Sequence, residues 1–147
     1  MVPRKKKTEE KLDNTEEKKE FLYLTISYEN FSLETTKLNI LDRMCEDCNK
    51  EHSNTTISSM KDIIPMIRQI SKCCSQKNGY ISIHTSMNEG IIREVLAAGN
   101  KPINSEKVSA SLKNHWALTP FPKNIDQTVI ERLATSNDWI ATSISEA

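Results

Sequence analysis

Four cysteines and one histidine form the group of side chains best suited to chemistry. Cys45 and Cys48 have a Cys-x-x-Cys spacing, His52 follows four residues later, and Cys73 and Cys74 are adjacent. Thiolates and imidazoles are the usual ligands of a tetrahedral zinc ion. If the chain holds a metal, the ligands predicted from this spacing are Cys45, Cys48, His52 and Cys73.

The helical pattern around these residues favours an interpretation without metal. Leu38, Leu41, Cys45, Cys48 and His52 recur at spacings of three and four, which places them on one face of a single predicted helix. A zinc knuckle usually needs a turn at its Cys-x-x-Cys, and two adjacent cysteines would not normally both reach one metal. Buried, reduced thiols explain the same residues. We therefore predict no metal and no cofactor.

Redox and hydrolytic chemistry are not indicated. A redox Cys-x-x-Cys opens a helix, whereas Cys45 is predicted near the middle of one, beside Glu46 and Asp47. The three histidines are scattered over different predicted elements, and three glycines are too few for a phosphate-binding loop. We predict that the protein is not an enzyme.

Composition limits the partners and the compartment. Twenty basic and twenty acidic residues cancel over 147 residues, so no general attraction to nucleic acid or membrane is expected. No apolar run approaches the roughly 18 residues of a membrane span, and no apolar segment follows the basic start. These features predict an intracellular protein, cytoplasmic or nuclear, with reduced cysteines.

The predicted fold is α+β. Residues 1–20 read as a charged, disordered tail, and residues 21–87 as a small α+β unit. Alternating apolar residues predict a hairpin over 21–36 and a strand over 80–85.

Between the hairpin and the later strand, a helix is predicted from about Ser59 to Cys73. Ser59 and Asp62 form a possible capping pair, and Pro65 favours a start near Ile64. The residues predicted to face inward are Ile63, Ile64, Ile67 and Ile70.

Residues 88–147 are predicted to form a helical module that shares one core with residues 21–87. Asn88, Ser105 and Asn124 are candidate caps of three helices, Gly99 suits a left-handed helix end, and a strand is expected over 139–144. Three helices followed by a strand resemble a winged helix over about 55 residues, by element order alone.

Three functions follow from this organisation. The first is a non-enzymatic interaction or adaptor protein that binds an unidentified protein partner, with Trp116, Phe121 and Trp139 as candidate anchors. The second is a DNA- or RNA-binding regulator that uses the third helix of the module, although the module has six basic and seven acidic residues. A zinc-stabilised module is the third. The residues predicted to contact nucleic acid are Lys123, Gln127, Thr128 and Arg132.

Overall fold

The computed structural model describes residues 21–99, 101–118 and 124–144, and the tail predicted for residues 1–20 lies outside them. These residues form three strands, six α-helices and one 3-10 helix. In chain order they are β1 (Tyr23–Ile26), α1 (Leu33–Leu41), α2 (Glu46–His52), α3 (Met60–Lys72), the 3-10 helix (Cys74–Gln76), α4 (Met87–Ala97), β2 (Ile103–Asn104), α5 (Ser105–His115), α6 (Gln127–Thr135) and β3 (Ile140–Ser143).

Strand β1 lies at the centre of an antiparallel sheet with the order β2-β1-β3. Tyr23 pairs with Asn104 of β2 on one side and with Ser143 of β3 on the other. Both edges of β1 are therefore occupied by strands from much later in the chain. The α+β prediction and the strand over 139–144 are confirmed.

The second strand of the predicted 21–36 hairpin is wrong, because α1 begins at Leu33. Ser32 caps this helix: its Oγ accepts a hydrogen bond from the Thr35 backbone N–H at 3.1 Å. Its carbonyl accepts a second bond from the Thr36 hydroxyl at 2.9 Å. Serine caps of this kind give the backbone an alternative to strand pairing.

The predicted strand over 80–85 is also wrong. Tyr80 and Ile81 are buried, but the chain turns directly after them. The Thr85 backbone N–H donates to the Ser82 carbonyl at 3.1 Å, and the Ser82 N–H donates to the Thr85 hydroxyl at 2.9 Å. These local bonds satisfy the backbone without a neighbouring strand.

Helix α3 begins with the predicted capping pair. The Ser59 backbone N–H donates to the Asp62 carboxylate at 3.3 Å, which completes a capping box. The start expected near Ile64 is wrong, since the helix runs from Met60 through Pro65. Pro65 removes one backbone hydrogen bond on the exposed face, and the capping box secures the turn before it.

The C-terminal order of three helices and a strand appears as α4, α5, α6 and β3. Gly99 has the expected positive φ, 74°. In the described residues β3 pairs with β1 and with no wing strand, so the winged-helix likeness remains one of element order. The caps are Ser86, Asn104 and Asp126 in place of the predicted Asn88, Ser105 and Asn124.

One hydrophobic cluster joins the sheet to the helices. Leu24 and Ile26 face it from alternate positions of β1, as the two-residue period of a strand requires. Each of α3 to α6 contributes residues at helical spacing. Its fully buried side chains include Leu24, Ile63, Ile70, Ile91, Leu112, Trp116 and Ile130.

Candidate metal centre

The Cys-x-x-Cys motif opens a helix and does not lie within one, so the predicted position of Cys45 near the middle of a helix, on which redox chemistry was set aside, is wrong. The single helix predicted from Leu38 to His52 is wrong, because α1 ends at Leu41 and α2 starts at Glu46. Cys45 is the N-cap of α2, and Cys48 lies in its first turn, 3% exposed. The turn between α1 and α2 ends at Cys45 and contains no glycine.

Side-chain contacts hold this turn, and some of them come from a distant part of the chain. The Asn49 amide donates to the Leu41 carbonyl at 2.8 Å and closes the turn from the α2 side. Arg43 donates from Nε and Nη2 to the two carboxylate oxygens of Glu89 in α4, at 2.7 and 2.8 Å. Arg93 pairs with the same carboxylate at 2.9 Å.

Cys73 and Cys74 reach the same point because the chain changes direction between them. Cys73 ends α3 with φ −121° and ψ −66°, and a 3-10 helix starts at Cys74. The helical spacing between their side chains is thereby lost. The two adjacent cysteines, which were not expected to reach one metal together, therefore place their sulfurs in the same cluster.

The four cysteine sulfurs lie within 4.8 Å of one another. The Cys45 and Cys73 sulfurs are 4.0 Å apart. Zinc at about 2.3 Å from each of four tetrahedral sulfurs requires sulfur separations of about 3.8 Å. Contraction of about 1 Å or less would therefore fit the cluster around a single ion.

Hydrogen bonds to sulfur already orient two of the thiols. The backbone N–H of Cys45 donates to Sγ of Cys74 at 3.2 Å, and the Gln69 amide donates to Sγ of Cys48 at 3.3 Å. Donors of this kind form the outer shell that holds metal ligands in place.

The thiols have divergent acidities. A hydrogen bond from the backbone N–H of Cys48 lowers the pKa of Cys45 to about 7. Burial raises the pKa of Cys74 to about 12, and the thiol contact with Cys48 raises the pKa of Cys73. The first thiolate therefore makes the next proton harder to lose. A divalent cation at the centre would lower the pKa of all four thiols, because it attracts every thiolate.

Lys77 supplies positive charge beside the cluster. The negative charge of Cys45 and then of Cys73 raises the pKa of its ammonium group. Lys77 also lines a cavity of about 220 Å³ with Cys45, Cys74, Arg43 and Arg93.

The structure brings together three of the four metal ligands predicted from sequence. His52 is the last residue of α2 and does not belong to the cluster, in which Cys74 takes the fourth place. The sequence contained a signal for Cys74, since a cysteine pair directly after an amphipathic helix can straddle the helix end.

The three predicted partner anchors have different fates. Trp116 is 2% exposed, and its Nε1 donates to the Ser82 carbonyl at 2.7 Å, so it is a core residue. Phe121 lies outside the described residues. Trp139 is half-buried and stacks on Phe31, with ring centroids 3.7 Å apart.

Three of the four predicted nucleic-acid residues belong to α6. Lys123 lies outside the described residues, while Thr128 and Arg132 are exposed on α6. The Gln127 amide donates to Glu131 at 3.0 Å. Glu131 itself turns inward and accepts bonds from the Ser105 hydroxyl at 2.6 Å and the Leu22 N–H at 3.3 Å.

Comparisons with models of protein families, with curated proteins and with solved structures found no match to this chain. Among the described residues, no helix is both long enough and apolar enough to cross a membrane.

Proposed function

We propose that this protein is a non-enzymatic interaction module whose fold is stabilised by one zinc ion bound to its four cysteines. The observation that carries the proposal is the convergence of the sulfurs of Cys45, Cys48, Cys73 and Cys74 within 4.8 Å. A tetrahedral set of four sulfurs is typical of zinc or of iron–sulfur centres. The close spacing favours one ion over a larger cluster.

A site of this composition supports a structural role. Catalytic zinc sites keep a position open for water or substrate, whereas four protein thiolates complete the tetrahedron. Cys48 and Cys74 are only 3% and 2% exposed, which leaves little room for a further ligand.

The metal would hold a segment that has little stability of its own. Helix α2 has seven residues, which is too short to persist in isolation. Cys48 is its buried residue, and zinc would tie it to the end of α3. Structural zinc sites in small peptides bind with about 10–16 kcal/mol, which becomes folding free energy.

A protein partner is supported by the surface around Trp139. This side chain and Phe31 line an open cavity of about 410 Å³, with Asn88, Ile92 and Asp138 also at its wall. A stacked, half-buried aromatic pair of this kind is a common anchor at interfaces.

The test is the metal content of the full-length protein purified without metal-affinity resin. Elemental analysis should find about one zinc per chain, and a strong chelator should lower the thermal midpoint. Cys48→Ser and Cys74→Ser should each lose the zinc and destabilise the fold by more than the roughly 1–2 kcal/mol expected from lost thiol packing.

His52→Ala is the matched control, because His52 lies on the same short helix but outside the cluster. It should retain one zinc and respond to the chelator as the unaltered protein does. If no metal is found and the chelator leaves the thermal midpoint unchanged, the zinc proposal is wrong and the cysteines are packed, reduced thiols.

A further inference from the structure

The exposed face of α3 has a row of basic side chains. Lys61, Arg68 and Lys72 are exposed at spacings of seven and four residues, which places them on one side of the helix. At 1.5 Å per residue the row is about 16 Å long. Ile64, predicted to face inward, lies on this face and is 47% exposed.

The basic row continues into an open cavity of about 370 Å³ between α3 and the end of α4. Arg68, Lys72 and Lys101 line it, and no acidic residue is among its lining residues. Ser71, also at the wall, donates its hydroxyl to the Ala97 carbonyl at 2.7 Å. The groups free to bind a ligand are therefore the three cations.

These cations are not used in ion pairs within the part of the chain that the structure describes. Arg43 and Arg93 both pair with Glu89, and Lys50 pairs with Glu46. No carboxylate of the described residues forms such a pair with a member of the α3 row or with Lys101.

Helix stabilisation explains only one member of the row. Lys72 lies in the last turn of α3, where the helix dipole makes a cation stabilising by about 0.3–1 kcal/mol. Arg68 and Lys61 lie before that turn, and Lys61 is in the first turn, where a positive charge is unfavourable. Helix electrostatics therefore do not account for the positions of Lys61 and Arg68.

We infer that this surface, defined by Lys61, Arg68, Lys72 and Lys101, binds the phosphate backbone of a nucleic acid. A row of like charges about 16 Å long matches a linear polyanion, because a small anion would contact only one end of it. The cavity is lined by cations and has no aromatic side chain on which bases could stack, so the contacts go to phosphates, which carry no sequence information.

An acidic peptide fits the surface less well than phosphates do. Peptide docking usually needs an open strand edge or an apolar groove. The α3 face is helical, and Ile64 is the one large apolar side chain that lines the cavity. Lysine and arginine, in contrast, are the residues that contact phosphates.

The experiment measures binding of labelled single-stranded RNA and duplex DNA of mixed sequence to the full chain, by fluorescence anisotropy at several salt concentrations. Four phosphate contacts predict a slope of log affinity against log salt of about −3 for a single strand. Arg68→Glu combined with Lys72→Glu should weaken binding at 0.1 M salt by about tenfold to thirtyfold and reduce the slope by at least about 1.

Lys107→Glu combined with Lys113→Glu is the matched control. Both residues are exposed on α5, which α4 separates from α3, and the change in net charge is the same. This variant should keep the affinity to within about twofold. Both variants should retain the zinc content of the unaltered protein, which separates this inference from the proposed metal site.

Three results would overturn the inference. Equal losses in the two double variants would show an effect of net charge alone. An unchanged affinity in the α3 variant would place any binding elsewhere, for example at Arg4 to Lys7 of the N-terminal segment. Displacement of the RNA by polyglutamate or by anionic vesicles as readily as by unlabelled RNA would assign the surface to those partners.

Discussion

Glu94 and Glu131 are two carboxylates whose surroundings differ in their electrostatic effect. Burial raises the pKa of Glu94, and this outweighs the hydrogen bond from the Ser111 hydroxyl at 2.6 Å and the nearby His115. Burial also raises the pKa of Glu131, but its bonds from Ser105, Gln127 and the Leu22 N–H together lower it below its usual value. The two groups should therefore respond to pH in opposite directions.

Glu94→Gln should gain stability relative to the unaltered protein as pH rises above about 4.3, the ordinary glutamate pKa. A raised folded-state pKa means that the folded protein binds the proton more tightly, so its contribution is present at low pH and is lost as pH rises through that pKa. The amide oxygen of the substituted side chain can still accept the Ser111 bond. Denaturant unfolding of both proteins between pH 4 and 8 measures the difference.

Glu131→Gln should behave in the reverse manner. A lowered folded-state pKa gives stability that is present at neutral pH and is lost as pH falls through that pKa. At pH 7 the loss of a charged acceptor should cost about 1–3 kcal/mol, and the cost should shrink in acid. Parallel pH profiles for the two variants would contradict at least one of the two assignments.

At the scale of elements, α4 and α5 approach closely at Gly90. A Cβ there would lie 3.1 Å from Cδ2 of Leu112 and 3.1 Å from Cη2 of Trp116. Trp116 has little freedom to move away, because its indole donates to the Ser82 carbonyl. Gly90 is therefore required by packing and not by backbone conformation.

Gly90→Ala should lower the free energy of unfolding by up to about 2 kcal/mol. Crowding against a fixed core costs about 1–3 kcal/mol, which exceeds the roughly 1 kcal/mol gained from better helix propensity. Thermal and denaturant unfolding measure the loss. In a Leu112→Val background the same substitution should cost less, and a cost that is identical in both backgrounds would show that Leu112 is not the obstacle.

The elements predicted correctly are those whose signals are local. The capping box at Ser59 and Asp62, the alternation in β1 and the left-handed Gly99 each depend on neighbours within a few residues. The strand predicted over 31–36 was wrong because a two-residue alternation and a capped helix start use the same residue types. Here the Ser32 cap decided the outcome.

The metal centre was only partly predictable for a similar reason. The break between α1 and α2 has no glycine or proline, and Arg43 holds it through Glu89, 46 residues away. A contact between residues so far apart cannot be predicted from the local sequence. Cys74 was missed because the backbone at Cys73 departs from the helix, and helical periodicity cannot anticipate that departure.

At the scale of the whole molecule, the sheet joins distant parts of the chain. Strand β1 provides the centre of the sheet, and β2 and β3 provide its edges. The buried cluster likewise takes residues from β1, from all six α-helices and from β3. The C-terminal helices therefore cover a strand that lies outside their own segment.

Residues 88–147 expressed alone should fail to form a cooperative structure. Without β1, strands β2 and β3 have no partner between them, and the face that contacts Leu24 and Ile26 is exposed to water. Circular dichroism and thermal melting of this fragment test the expectation. Adding a peptide of residues 21–31 should restore structure, and a fragment that melts cooperatively without it would contradict the dependence on β1.

The position of β1 also determines when the protein can fold during its synthesis. In the sheet Tyr23 pairs with Ser143, about 120 residues later. At roughly 5–20 residues per second, a ribosome needs about 6–24 s to make the chain between them. Until β2 is made, β1 has two open edges and an apolar face, and until β3 is made it still has one open edge that can pair with other nascent chains. The sheet can therefore be completed only after β3 has been translated.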